Sequence, residues 1–396
     1  VAFPGRGAAI VGVYLTEQAK KIEGRTSTEL QIEAVKGALA DAGLSVKDVD
    51  GIATMDKASP VSGSYHPHHY WAEQLGQLPM SLIETGQGAG AMAKMAAAVS
   101  AGLADTVVYV SGKAGEGINP ARKAVPKKAP RVGEWQYSIT GGTHPAWYAA
   151  WARRYMHDFG VTSAQLAEVA VAARHHATLN PESLMGSKGE LTIDDVLNSR
   201  MIADPLHLLD CCLDNDGGYA LVITSLDRAR DLKQKPVQIL GGAEWYGMDY
   251  YLNIPHPWIN PEGSAVSKAA DRAFGIAGVS RDDIDVAGLY DCFTITTIRD
   301  IEELGFCKVG EGADFAQDGN IRLGGRLPVN THGGLLSCSH NGMGGPAGLH
   351  TIEVVRQLRG GNVEPERQVD GARLGVTLSQ GMSVHGGGGV LVLGVD

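Results

Sequence analysis

Residues 34–53 read AVKGALADAGLSVKDVDGIA, and residues 269–288 read AADRAFGIAGVSRDDIDVAG. Laid over one another at one constant offset, Ala38 meets Ala273 and Ala42–Gly43–Leu44–Ser45 meets Ala277–Gly278–Val279–Ser280. Asp48–Val49–Asp50 falls on Asp283–Ile284–Asp285 at the same offset. Each copy predicts an amphipathic helix stopped by a glycine, a short polar loop and an apolar strand. Two copies this far apart indicate a duplicated domain rather than a solenoid, whose repeats are short and adjacent. A chain of 396 residues is long enough to bury two cores.

The flanking segments extend the same plan. AAIVGVYL near the start and VQILGGAEW from Val237 predict the strands that precede the paired helices. DTVVYVSG from Asp105, YALVITS from Tyr219, ARLGVTLS from Ala372 and GVLVLGV from Gly389 predict further apolar strands rich in β-branched residues. The alternation gives an α/β fold of two halves, 1–234 and 235–396, each a helix-covered sheet. A stretch of about 113–205 falls outside the repeat and reads as a lid-like insertion in the first half. It holds an aromatic helix, PAWYAAWARRYMHDFG from Pro145, and a second, SAQLAEVAVAARHHATLN, with Ser163 as the expected N-cap.

A net charge of −10 argues against general nucleic-acid binding, which needs a basic surface to displace counterions. Arg122, Lys123, Lys127, Lys128 and Arg131 run through PARKAVPKKAPRV without an acidic residue. That loop is either a solvated mobile segment or an anion-binding loop for a phosphorylated ligand. Five cysteines without framework spacing point to a reducing compartment, and the apolar runs fall short of the ~20 residues of a membrane span. A cytoplasmic protein is expected. HPHH at 66–69 has metal-ligand residue types but no matching cysteine or carboxylate cluster, so no metal site is expected. DNDGG from Asp214 lacks the remaining calcium-loop ligands and reads as the turn into the next strand. GGGG at 386–389 lacks the context of a dinucleotide fingerprint.

Several motifs occur in an order that resembles a known family. ARRYMHDFG, VAARHHATLNP, LTIDDVLNSRMIADPLHLLDCCLDNDGGYALVITS, YDCF, LPVNTHGGLLSCSHNGMGGPAG and VVRQLRG look like the thiolase superfamily. They resemble most the sterol-carrier-protein type and its thiolase-like relatives. The resemblance spans nearly the whole chain. It implies a five-layered αβαβα fold, usually dimeric, acting on coenzyme A thioesters with no tightly bound cofactor.

The departures are as informative as the matches. Family members usually carry a nucleophilic cysteine where the central helix of the first half begins, in a pattern like N-x-x-C-x-S-G. In ETGQGAGAM, Glu84 falls on the Asn, Gln87 on the Cys and Gly90 on the Gly, and no cysteine precedes Cys211. The histidine of G-H-P matches His340, followed here by Asn341. H-D-C-F matches Tyr290–Asp291–Cys292–Phe293, keeping the cysteine that resembling enzymes use as acid or base. SQGMSVHGGGG lacks the cysteine of C-x-G, and His385 has no secure counterpart.

An amide cannot attack a ketone and hold an acyl group. A carbon–carbon bond beside a thioester still breaks if the leaving carbanion is held as an enolate, which is retro-aldol chemistry. His340 is the expected donor at the thioester oxygen, and Tyr290 and Cys292 the expected acid or base, with Tyr246 as a weaker candidate. Arg122, Lys123, Lys127 and Lys128 are the candidate coenzyme A contacts. The leading expectation is a non-covalent lyase of β-hydroxyacyl-CoA, steroid side-chain esters included. Resembling aldolases often work with a small OB-fold, zinc-ribbon accessory protein. Gln-for-Cys decarboxylating relatives offer a second route to an enolate. An acyltransferase using Cys292 or Cys338, or a non-catalytic CoA-binding subunit, are the rival readings.

Overall fold

The computed structural model describes residues 5–54, 67–76, 81–82, 88–114, 144–246, 264–340, 347–381 and 387–396. Strands β1 (Ala8–Leu15), β2 (Gly51–Thr54), β3 (Ser81–Leu82), β4 (Thr106–Lys113) and β7 (Gly217–Ser225) lie side by side in the order β3-β2-β4-β7-β1. Strands β8 (Val237–Tyr246), β11 (Gly387–Gly394), β10 (Leu374–Gly381) and β9 (Val286–Gly288) follow in that order. Strands β5 (Met201–Ala203) and β6 (Leu206–His207) form a small separate hairpin. The two groups of strands meet only where β1 pairs with β8, at Ala9 opposite Gln238 and Ile10 opposite Val237.

The helices complete five layers. Helix α1 (Ser27–Ala42) covers the outer face of β1, β4 and β7, and its counterpart α7 (Ala265–Ala277) covers β8 and β11. Helices α3 (Gly88–Ser100) and α9 (Ala347–Arg359) each touch strands of both groups and make the central layer. Helices α2 (Pro67–Leu75), α4 (His144–Phe159), α5 (Ser163–Thr178), α6 (Ile193–Asn198) and α8 (Thr294–Leu304) complete the set among the described residues, apart from single turns.

The sequence repeat has a structural repeat beneath it. Helix α1 ends at Gly43 with φ 75°, and α7 ends at Gly278 with φ 71°, a left-handed conformation that glycine adopts without strain. A single turn follows in both copies, fixed by Asp48 on Ser45 and by Asp283 on Ser280, before β2 and β9. Each helix also leans on a strand glycine. A Cβ on Gly12 would lie 2.0 Å from the Ala38 carbonyl oxygen, and one on Gly241 would lie 2.1 Å from that of Ala273. Ala38 and Ala273 are the residues that the repeat pairs, so the same close backbone approach is used twice.

The insertion differs from expectation. Thr162, not Ser163, caps α5: its hydroxyl accepts the Gln165 N–H while the Gln165 side chain returns to the Thr162 N–H. Helix α5 packs on α8 and on the π-helical turn Gly334–Cys338, both in the second half of the chain. Trp147, Trp151 and Tyr155 of α4 are buried. Arg299 of α8 lies under the Trp151 and Tyr155 rings and pairs with Glu302 and Glu303. Glu302 also accepts the Tyr155 hydroxyl and the backbone N–H groups of Gly310 and Gly312. Apolar contact and a buried ion cluster together fasten the insertion to α8.

Candidate active site

Tyr290, Asp291 and Cys292 occupy the turn that leads from β9 into α8, and the backbone there is held from two sides. Asn330 sits at φ 52°, and its side-chain amide grips the residue before Tyr290: the Leu289 N–H donates to Oδ1 at 2.8 Å and Nδ2 donates to the Leu289 carbonyl at 2.8 Å. Buried Asp291 points the other way. Its carboxylate accepts the Leu335 N–H at 2.9 Å and the Leu336 N–H at 3.4 Å, and contacts His350 Nε2 at 2.9 Å. A Cβ on Gly334 would lie 1.9 Å from Asp291 Oδ2, so only glycine lets the carboxylate reach this turn.

The π-helical turn delivers His340 to the site. The His340 N–H donates to Asn215 Oδ1 at 2.6 Å, and its ring Nδ1 lies 3.0 Å from the Leu213 carbonyl oxygen. Ser339, one residue earlier, donates to Gln18 Oε1 at 2.6 Å and receives Asn215 Nδ2 at 3.0 Å. The segment that carries Leu213 also binds the other half of the site, because the Cys212 N–H donates to the Cys292 carbonyl at 2.9 Å. His340 and Cys292 are therefore fixed to one short piece of backbone.

The Leu213 carbonyl sets the tautomer of His340. A carbonyl oxygen only accepts, so Nδ1 carries the proton and the neutral ring presents Nε2 as a lone pair. Burial holds the ring below the ordinary histidine value and keeps it neutral. His340 in this state is a proton acceptor. It becomes a donor only after it has taken a proton.

Tyr290 and Cys292 lie close together on this turn. Tyr290 and Tyr148, from α4, are neighbours of the buried Cys292 thiol. Burial first, then the neighbouring Cys292, pushes the Tyr290 hydroxyl well above its ordinary value, and burial does the same to Cys292. Cys338 is buried beside Asn180 Nδ2 and is also pushed up, as is Cys212, while burial raises Cys211 and Cys307 to about 12. Burial thus favours the neutral thiol at each of the five cysteines. Tyr246 lies at the end of β8, 59% exposed, with its ring over Gly387.

The entrance of α3 is built from both halves. The Gly88 N–H donates to the Tyr109 hydroxyl at 3.0 Å, and the Ala89 N–H donates to Ser379 Oγ at 2.9 Å. A Cβ on Gly90 would lie 2.4 Å from Glu244 Oε1, and one on Gly389 would lie 2.2 Å from the Gly90 nitrogen. Gln87, Arg122, Lys123, Lys127, Lys128, Arg131, His385 and His66 lie outside the described residues.

Sequence reasoning missed Tyr148, Asn330 and Asn215. Asn215 lies in DNDGG, which does form the turn into β7, but its grip on His340 has no local signal. Asn330 was visible as an asparagine before a glycine pair, a residue type tolerant of positive φ. Tyr148 was visible only as one ring of an aromatic helix.

A duplicated αβαβα arrangement with its polar groups gathered around a central-layer helix is a thiolase-type fold. The chain belongs to the thiolase superfamily, among the sterol-carrier-protein-type thiolases and thiolase-like aldolases. Residues 259–394 match the Thiolase C-terminal domain-like family. The chain is 38% identical over 410 residues, 99% of both chains, to the steroid side-chain-cleaving aldolase of Thermomonospora curvata. It is 40% identical over 403 residues to the 17-hydroxy-3-oxo-4-pregnene-20-carboxyl-CoA lyase of Mycobacterium tuberculosis, covering 98% of this chain and 99% of that one. Among solved structures it resembles the Ltp2-ChsH2(DUF35) aldolase with a TM-score of 0.84 and 34% identity, over 100% of this chain and 99% of that one.

Proposed function

We propose that this protein is a retro-aldol lyase that cleaves a β-hydroxyacyl-CoA thioester, a steroid side-chain ester being the favoured substrate, without a covalent cysteine intermediate. The full-length likeness to an aldolase and a lyase supports the reaction class. The observation that supports the mechanism is that His340 Nδ1 meets the Leu213 carbonyl while the neighbouring Cys212 N–H donates to the Cys292 carbonyl, so His340 and the Tyr290–Cys292 turn are tied to adjacent residues.

His340 Nε2 takes the proton of the β-hydroxyl, whose oxygen forms a carbonyl as the Cα–Cβ bond breaks. The bond's electrons become the thioester enolate. Tyr290, backed by Cys292, returns a proton to Cα and releases the shortened acyl-CoA. The two proton positions re-equilibrate through solvent, so the sum is one alcohol and one C–C bond exchanged for one carbonyl and one C–H bond. A tuned acid or base of this kind is worth about 10²–10⁴-fold in rate.

The basic run Arg122, Lys123, Lys127 and Lys128 is assigned to the phosphates of coenzyme A, and Gln87 to a site shaped for an acyl group but stripped of its nucleophile. A homodimer is assigned from the family. A small OB-fold, zinc-ribbon partner is supported by the two-component aldolase among the solved relatives. No helix among the described residues is long and apolar enough to cross a membrane, and a cytoplasmic location fits the bacterial relatives.

Mass spectrometry of the products from β-hydroxyacyl-CoA, β-ketoacyl-CoA and malonyl-CoA panels tests the reading. A carbonyl product and a shortened acyl-CoA are expected from the hydroxyacyl thioesters alone. Cleavage confined to ketoacyl thioesters, with free CoA consumed, would replace the lyase by an acyltransferase.

A further inference from the structure

One carboxylate joins the two pieces of backbone that carry the reacting groups. Asp291 stands between Tyr290 and Cys292 in the chain, and its oxygens accept the Leu335 and Leu336 N–H groups of the π-helical turn that leads to His340. The spacing between His340 and Tyr290 therefore passes through this side chain. A buried carboxylate keeps one orientation only when donors surround it. Both backbone donors come from the same turn, so they hold it from one side alone.

The third donor comes from the central layer. His350, in the first turn of α9, is fully buried and places Nε2 2.9 Å from Asp291 Oδ1. That oxygen also accepts the Leu335 N–H, so it is an acceptor toward the ring and Nε2 carries a proton. His350 is itself seated from two further directions. Gly288, the last residue of β9, lies against it, and a Cβ there would come within 2.9 Å of both the Cβ and the carbonyl oxygen of His350. The His332 ring meets the His350 ring edge to face, with centroids 5.2 Å apart.

We infer that His350 is a positioning residue for the acid–base pair: by holding the Asp291 carboxylate from the central layer, it sets the spacing between His340 and Tyr290. It acts through Asp291 and takes no part in the proton transfers themselves. Without its N–H the carboxylate turns, and the Tyr290 turn and the π-helical turn move independently of one another.

His350→Leu removes the donor at similar volume, and His350→Gln returns an N–H close to the place of Nε2. On a β-hydroxyacyl-CoA that the parent protein cleaves, His350→Leu is expected to lower kcat by about 10²-fold, the cost of a misplacement of about 1 Å, with KM unchanged. His350→Gln is expected to restore most of the loss. A second readout needs no substrate. Iodoacetamide labelling of the intact protein, located by peptide mass spectrometry, reports how often each thiol opens to solvent. Cys292 lies on one turn and Cys338 ends the other. His350→Leu is expected to speed labelling of both by about 10-fold or more, the effect of one lost hydrogen bond to a charged group. Cys307, outside both turns, is expected to keep its rate, and His350→Gln to return Cys292 and Cys338 toward the parent values.

Unchanged kcat in His350→Leu, a loss confined to KM, a glutamine variant as slow as the leucine one, unchanged labelling of Cys292 and Cys338, or faster labelling shared by Cys307 would each overturn the inference. Should His350→Leu fail to fold, His350→Asn, whose amide stops short of the carboxylate, takes its place with the same expectations. The inference rests on the lyase reading for the reaction that this spacing serves. A parent protein that cleaves no β-hydroxyacyl thioester, while both thiols respond as expected, would sink that reading and leave the role of His350 standing. Cleavage by the parent with neither kcat nor the thiols responding to His350→Leu would do the reverse.

Discussion

Asn330→Ala removes the clamp behind Tyr290, and the structure sets the size of the effect. The amide of Asn330 satisfies both the N–H and the C=O of Leu289, which is fully buried. Alanine leaves both groups unpaired, at about 1–3 kcal/mol each. It must also hold φ 52°, where a Cβ without a compensating polar side chain adds about 1 kcal/mol. The sum is about 4 kcal/mol of stability, a large share of a typical ~5–15 kcal/mol total. Asn330→Gly loses the same two bonds but not the strain, so it should be about 1 kcal/mol less damaging than alanine. Urea titration followed by tryptophan fluorescence measures both variants, and cleavage assays on the folded fraction measure the site. Turnover should fall in both, since Leu289 sets the direction in which Tyr290 leaves the strand. The reasoning is refuted if Asn330→Ala lies within about 0.5 kcal/mol of the parent protein, the scatter of an ordinary surface change, or if stability drops while turnover does not.

His340→Ala should reduce turnover by about 10²–10⁴-fold, and in the parent protein the rate should fall at acid pH as the working lone pair becomes protonated. A pH–rate profile with no acid limb would contradict the acceptor role. Stability itself should weaken below pH ~6.5. Burial holds folded His332 at about 3 and folded His176 at about 4, while the unfolded chain takes up both protons near the ordinary value, so each ring opposes folding as pH falls toward its folded value and stops doing so beneath it. Buried Asp210 and Asp300, both raised by burial, act in the opposite sense. His332→Leu isolates one ring and should remove about 2 kcal/mol of the loss between pH 6.5 and 5, read from denaturation at the two pH values; an unchanged slope would count against it. Gly389→Ala drives a Cβ against the backbone of Gly90 and should cost about 1–3 kcal/mol together with activity, measured by melting and turnover. Glu302→Gln should loosen the insertion by about 3–5 kcal/mol, because it breaks a buried ion pair from one side, and proteolysis between α4 and α5 should accelerate.

The backbone plan was legible because it repeats. Ala38 and Ala273 pair in the sequence and both sit against a strand glycine in the structure, and glycines 43 and 278 end their helices as their positions required. The cap of α5 was misread by one residue because Thr162 and Ser163 are both good capping types and only the reciprocal bond with Gln165 decides between them. The attachment of the insertion was not legible because it depends on long-range partners. Arg299 and Glu302 are ordinary helix charges in the sequence, and nothing local says that they are buried under Trp151 and Tyr155. In the candidate site, His340, Tyr290 and Cys292 stood out by motif. The proton state of His340 did not, since it depends on a carbonyl more than a hundred residues away in sequence.

The entrance of α3 limits what sulfur could do there. A lowered thiol pKa at a helix start depends on amide protons that nothing else has claimed. Tyr109 from one sheet and Ser379 from the other already cap the first two of them. Laboratory evolution toward acyl transfer would therefore have to uncap the helix at both hydroxyls as well as graft a cysteine, and any single-codon reversion would yield a protein with the atom but not the reactivity.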